Sequence, residues 1–169
     1  MAEHILSGQV FINDTDIWTT YKAFLREEQK GGHENLNALL APAKTKANVA
    51  VNIREQHGEE YSDDLRPKTE GRDVTLHFAV SASTSSEFVR RYTDFVHFLK
   101  QGNKGWLNFR FPTLNLEMRM FVDQFPSGFT AISNLWSAGQ QCGAFKVKFR
   151  EPVSSFQWCL ISIQTAFYQ

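Results

Sequence analysis

Two hydrophobic periods divide this chain. Most apolar residues recur at every second position, as in strands, and one long stretch recurs at three and four, as in a helix. At the start, Leu6, Val10 and Ile12 fall on one side of an extended segment over 5–12, with Gly8 as a weak point or bulge. Residues 13–16 (Asn-Asp-Thr-Asp) form a turn cluster. Trp18, Tyr21 and Leu25, with Phe24 beside them, predict a short helix over about 17–28, broken by Gly31 and Gly32. Residues 35–40 read as a short apolar turn closed by Pro42. Ala47, Val49, Val51 and Ile53 then alternate as the inward side of a half-buried strand over 47–53.

The middle of the chain has the strongest contrasts. Residues 54–73 are the most polar part, more than half of them charged, and read as a long loop. Val74, Leu76, Phe78 and Val80 face in and Thr75, His77 and Ala79 face out, which predicts a strand over 74–80. Thr84 and Glu87 form a capping box for a helix over 85–101. Its apolar face carries Phe88, Val89, Tyr92, Phe95, Val96 and Leu99, and Gly102 stops it. Beyond Gly105 the period returns to two. Leu107, Phe109 and Phe111 make one strand, and Leu114, Leu116, Met118 and Met120 make the inward side of the next. Residues 125–129 are a turn, 130–136 a further strand and 139–143 another turn. Phe145, Val147 and Phe149 then alternate with Lys146, Lys148 and Arg150. Six or seven strands with one inserted helix predict a mainly β (α+β) fold, an antiparallel β-sandwich or open barrel flanked by one long helix. The expected organisation is one domain over 1–153 and an uncharged apolar tail over 154–169 that is either a final core strand or a surface for another chain.

Composition sharpens this picture. The chain has 169 residues, enough for one domain with a core that needs neither metal nor disulfide. Lys plus Arg and Asp plus Glu both number 18, a balance that argues against a dedicated nucleic-acid or membrane-surface binder. Aromatic residues reach 14%, and an aromatic surplus on a neutral chain leans towards assembly. Two cysteines, Cys142 and Cys159, are too few for a disulfide framework. No signal peptide or membrane-spanning run is evident, so folding in a cytoplasm with reduced thiols is expected.

Candidate chemistry is sparse. The chain has no phosphate-binding glycine loop, no His-Glu-x-x-His and no Cys-x-x-Cys. His4, His33, His57, His77 and His97 are scattered, and neither Ser133 nor Ser137 stands in a nucleophile elbow. Cys142 has no histidine or cation cluster beside it in sequence. Glu59, Glu60, Asp63 and Asp64 lie in a polar loop without calcium-loop spacing. The expectation is therefore no catalytic residue, no metal and no cofactor. Small basic clusters occur at Lys44 with Lys46, at Arg90 with Arg91, and at Lys146, Lys148 and Arg150. The last suit an edge strand guarded against stray pairing, or a lumen carrying DNA.

The order of features resembles a known family. Val10-Phe11-Ile12-Asn13-Asp14-Thr15-Asp16-Ile17 leads to Tyr21, then to Leu39-Leu40-Ala41-Pro42-Ala43-Lys44 and the segment 47–53. A charged loop follows, ending in Glu70-Gly71-Arg72-Asp73-Val74-Thr75-Leu76, then the helix over 85–101 and two strands. This is similar to the N-terminal domain of phage distal tail proteins and the related tail-tube fold, over roughly residues 8–150. The resemblance implies a non-enzymatic virion protein that self-associates into a ring, expected to be a hexamer, at the tail tube or the distal tail and baseplate junction. Its implied partners are other tail or baseplate proteins, with DNA passing through the lumen without specific binding and no membrane. Its place is the virion tail after assembly and the bacterial cytoplasm before, in a phage or prophage. The second, carbohydrate-binding-like domain of the larger distal tail proteins has no counterpart in the sequence. The competing expectation is a small β-sandwich module that binds peptide or carbohydrate, with Trp106, Trp136 or Trp158 stacking on the ligand.

Overall fold

The structure, a computed structural model, describes residues 6–154. Among these, short elements come first: β1 (Phe11–Ile12), β2 (Thr15–Asp16), α1 (Ile17–Tyr21), β3 (Ala23–Leu25) and α2 (Glu34–Leu40). The long elements follow: β4 (Arg72–Ser81), α3 (Ser85–Gln101), β5 (Leu107–Phe111), β6 (Leu116–Gln124), α4 (Ile132–Leu135), β7 (Trp136–Ser137) and β8 (Cys142–Glu151). The sheet runs β2-β1-β5-β6-β8-β4-β3, with β7 added beside β8. Every pairing is antiparallel. The sheet curls into a half-barrel, as the mainly β expectation requires.

β6 makes the corner. Its first half, Leu116 to Met120, pairs with β5, and its second half pairs with β8. The register slips between Val122 and Gln124, a bulge that bends the strand from one half of the sheet to the other. The concave face and α3 enclose the core. Phe78 on β4 meets Phe95 on α3 at 5.4 Å between ring centroids, and Tyr92 meets Phe145 on β8 at 4.9 Å. Phe109 on β5 meets Phe149 on β8 at 5.0 Å, which joins the two halves of the sheet.

The strands at 74–80 and 145–149 and the helix form as their periods predict. Thr84 Oγ1 accepts from the Glu87 amide, and Glu87 accepts from the Ser83 amide. The face of α3 is narrower than expected: Phe88, Phe95 and Leu99 are buried and Tyr92 half-buried, whereas Val89 is exposed and Val96 only half-buried. Ala79, expected to face out, is fully buried opposite Phe24 of β3.

Several expectations are corrected. The extended segment at 5–12 narrows to Phe11–Ile12, after a turn in which Gly8 has φ 77°. The helix expected over 17–28 stops at Tyr21, because Lys22 is left-handed (φ 54°) and β3 leaves to pair with β4. The turn at 35–40 is instead α2, whose Asn35 is buried. Asn35 Oδ1 accepts from the His77 amide at 2.7 Å, and Nδ2 donates to the His77 and Arg26 carbonyls. One amide side chain thus continues the hydrogen bonding of the β4 edge beyond the end of β3. Leu114 lies in a 3-10 turn (Pro112–Leu114) and is exposed. The strand expected over 130–136 is α4 followed by the two-residue β7. Of the apolar tail at 154–169, only Ser154 falls within the described residues, as do neither Cys159, Trp158 nor His4.

Candidate assembly surface

The largest departure from the sequence expectation is at 41–71. The alternation of Ala47, Val49, Val51 and Ile53 does mark extended backbone, but no sheet covers it. Residues 44–53 run out and 60–70 run back as a two-stranded antiparallel arm. Lys46 donates to the Lys68 carbonyl and Glu70 to the Lys44 carbonyl, and Val51 and Glu60 exchange both backbone hydrogen bonds. The bridges pair Thr45 with Thr69 and Val51 with Glu60, so the returning side holds more residues than the outgoing side and must bulge. At ~3.3 Å per residue the two bridges stand ~20 Å apart. From Lys44 to Lys68 every residue is exposed except the half-buried Ile53; Val49 is 83% and Val51 55% accessible. The expectation that 47–53 is half-buried is therefore wrong. Periodicity reports backbone conformation, and burial depends on what lies across the face.

The arm's polar groups satisfy one another locally. Arg66 makes two hydrogen bonds to Asp64, at 2.9 and 2.7 Å, which hold the Asp64 carboxyl at about 2. Tyr61 donates to Glu59 at 2.8 Å. Among the described residues no group of three or more His, Cys, Asp or Glu side chains is placed to hold a metal ion.

At the base of the arm lies a buried ion pair. Arg72 opens β4 and Glu151 closes β8, directly opposite each other. Arg72 Nε donates to Glu151 Oε2 at 2.5 Å, with 7% and 0% of the side chains exposed. Arg72 Nη2 also donates to the Leu39 carbonyl at 3.1 Å, and Nη1 to the Ala41 carbonyl. The sequence reading ended the charged loop at Asp73 and missed this pair. The signal was present: Arg72 is in phase with Val74, Leu76 and Phe78, and Glu151 with Phe145, Val147 and Phe149.

The convex face is charged but balanced. Lys148 and Arg150 do not guard an edge, because β8 lies between β4 and β6 at those positions; Lys146 lies just beyond the last β6 pair. Lys146 pairs with Glu28, Lys148 with Asp73 and Asp123, and Arg150 with Asp73. The hydrogen bonds from Arg150 and Lys148 hold the Asp73 carboxyl below its ordinary range. Beside this face the loop 125–131 leaves Phe125 and Phe129 exposed, with Phe129 edge-on to Tyr92 at 6.3 Å.

Trp106 and Trp136 are half-buried and engaged. Arg119 covers one face of Trp106 at 4.2 Å and Phe121 meets it edge-on, while Trp136 Nε1 donates to the Ala82 carbonyl. A groove of about 700 Å³ beside Trp106 is lined by Arg110, Glu117, Arg119 and Val153. Cys142 starts β8, half-buried, and Arg26 Nη1 lies 3.3 Å from its sulfur, a cation that sequence distance concealed. Among the described residues no helix is long and apolar enough to cross a membrane.

No protein-family model matches the chain, and no curated protein matches its sequence. A solved structure does: the Dit protein (gp 19.1) of phage SPP1, described as a hub of the adsorption apparatus in phages infecting Gram-positive bacteria. The TM-score is 0.51 at 11% identity, over 85% of this chain. The two share a fold. The match spans 49% of the SPP1 protein, so this chain corresponds to about half of that hub protein's length.

Proposed function

We propose that this chain is a structural, ring-forming component of a phage or prophage tail, at the tube or at the distal tail and baseplate junction. The observation that carries the proposal is the arm. A lone two-stranded ribbon is at best marginally stable in water, and this one holds Val49, Val51, Tyr61 and Leu65 in solvent. Such a strip is suited to cover a neighbouring copy, on a fold shared with a phage hub protein. Repeated head-to-tail, an arm-to-neighbour contact is heterologous and closes into a ring when the rotation between copies is a whole fraction of a turn; six copies is the number the family resemblance favours. Other tail or baseplate proteins stack on such rings. The balanced convex face suits a wall past which DNA moves without specific binding. A peptide- or carbohydrate-binding module has less support, since both described tryptophans outside α1 are engaged within the fold.

The test is mass in solution against concentration, with negative-stain imaging of the same samples. Rings or tubes, and a mass that is a multiple of the subunit's, support the proposal. In a variant with 47–67 replaced by a short glycine turn, a folded monomer that no longer associates identifies the arm as the contact. Ring formation undiminished without the arm refutes the arm as the contact, and a strict monomer at every concentration refutes the ring-forming role.

A further inference from the structure

Both feet of the arm meet at the buried ion pair. The outgoing foot leaves α2 through Leu39 and Ala41, whose carbonyls accept from the two Nη atoms of Arg72. The returning foot enters β4 at Arg72 itself. Just before it, Gly71 lies so close to the end of β8 that a Cβ there would stand 3.2 Å from the Glu151 carbonyl oxygen and from Pro152 Cα. We infer that Arg72 and Glu151 are positioning residues that fix the direction in which the arm leaves the free subunit, so that it is aimed before a neighbour is met. This deepens the assembly role proposed above and rests on it for its purpose.

The chemistry of the guanidinium carries the argument. A buried ion pair adds little net stability compared with apolar side chains of the same volume. A flat fork of five donors does something those side chains do not: it fixes carbonyls and a carboxylate in set directions at once. Here it ties the outgoing foot to the carboxylate of β8, while the backbone bonds between Lys46 and Lys68 and between Glu70 and Lys44 tie that foot to the returning one. The remaining freedom is rotation of the ribbon about its base, and the clamp sits at that pivot. An arm ordered in advance loses less conformational entropy on docking than one that must be ordered by its partner.

The experiment uses the full chain with Cys142→Ser and Cys159→Ser, and nitroxide labels on cysteines introduced at exposed Gln56 near the arm tip and exposed Arg90 on α3. Pulsed dipolar spectroscopy on dilute monomer reads the distribution of distances between them. The expected result is one narrow distribution in the parent. In Arg72→Lys, and in Arg72→Met combined with Glu151→Met, a broadened and shifted distribution is expected in protein that still unfolds cooperatively. If the double variant does not fold, Arg72→Lys decides, since it keeps the charge and loses the fork. Folded variants as narrow as the parent overturn the inference, and so does a parent as broad as its variants. These outcomes are read on monomer: a narrow parent that never forms rings removes the assembly role and leaves the clamp standing.

Discussion

Phe95 is the side chain on which the layered architecture can be tested most sharply. It is fully buried at the centre of α3 and meets rings on three sides: Phe78 of β4 at 5.4 Å, Tyr21 of α1 at 5.7 Å and Phe145 of β8 at 6.1 Å. Transfer of the ring from water contributes ~2–3 kcal/mol. The void left by truncation and the lost ring pairs bring the cost of Phe95→Ala to ~3–5 kcal/mol. Against a typical domain stability of ~5–15 kcal/mol that is a large fraction. Val89, one turn and a half earlier on the same helix, is 45% exposed. Val89→Ala should therefore stay within ~0.5 kcal/mol, as surface substitutions do. The assay is urea unfolding of both variants, comparing midpoints at an unchanged m value. A loss below about 1 kcal/mol for Phe95→Ala, or equal losses for the two, would refute the packing of α3 on the sheet.

Three further outcomes are expected. Limited trypsin digestion of the free subunit should cut after Arg54 and Lys46 in the arm and spare Arg72, which is buried in β4; cleavage after Arg72 in folded protein would contradict the clamp at the arm base. Asn35→Ala removes the partner of the His77 amide beneath α2, while the His77 carbonyl keeps the Arg26 amide, so it should cost ~1–3 kcal/mol and speed hydrogen exchange at the His77 amide; unchanged exchange would show that β4 needs no such support. Because Asp73 is held below its ordinary pKa, it stabilises the fold above about pH 4, and this contribution is lost as pH falls through its folded value. The exposed setting limits Asp73→Asn to ~0.2–1 kcal/mol at pH 7. The gap in melting temperature from the parent should close only as pH falls below the ordinary carboxylate range, and a gap constant with pH would sink the assignment.

How much was legible follows from how far each period runs. β4 and β8 alternate over ten residues each, and their inward apolar residues meet the same core, so pattern and burial agree except at Ala79, which β3 covers. For α3 the cap and stop are both written in the sequence, while its buried face is narrower than its period suggests, since Val89 lies beyond the reach of the sheet. The arm alternates as clearly at 47–53, yet its face meets solvent, because pairing partners come from topology and not from the strand itself. At 17–28, Trp18, Tyr21 and Leu25 satisfy a helical spacing even though Leu25 sits in a strand: the chain turns at Lys22 to reach β4, a tertiary demand that no local window contains. Arg72 and Glu151 were hidden by residue type, since a charge at an inward position reads as the end of the strand unless its opposite charge is matched to it across the register.

The pairing of β4 with β8 also sets an order of events during synthesis. Ser81 and Cys142 are the near ends of a ten-residue ladder, so about 60 residues must be made between one strand and the other. At a ribosomal rate of ~5–20 residues per second, β4 waits on the order of several seconds for its longest partner. Through that interval its row of Val74, Leu76, Phe78 and Val80 is an open template of the kind that seeds aggregation. The element that emerges immediately after it is α3, which needs only the short link 82–84 to fold back. The helix brings Phe95 against Phe78 with little loop to close, and so shields the nascent strand until β8 arrives.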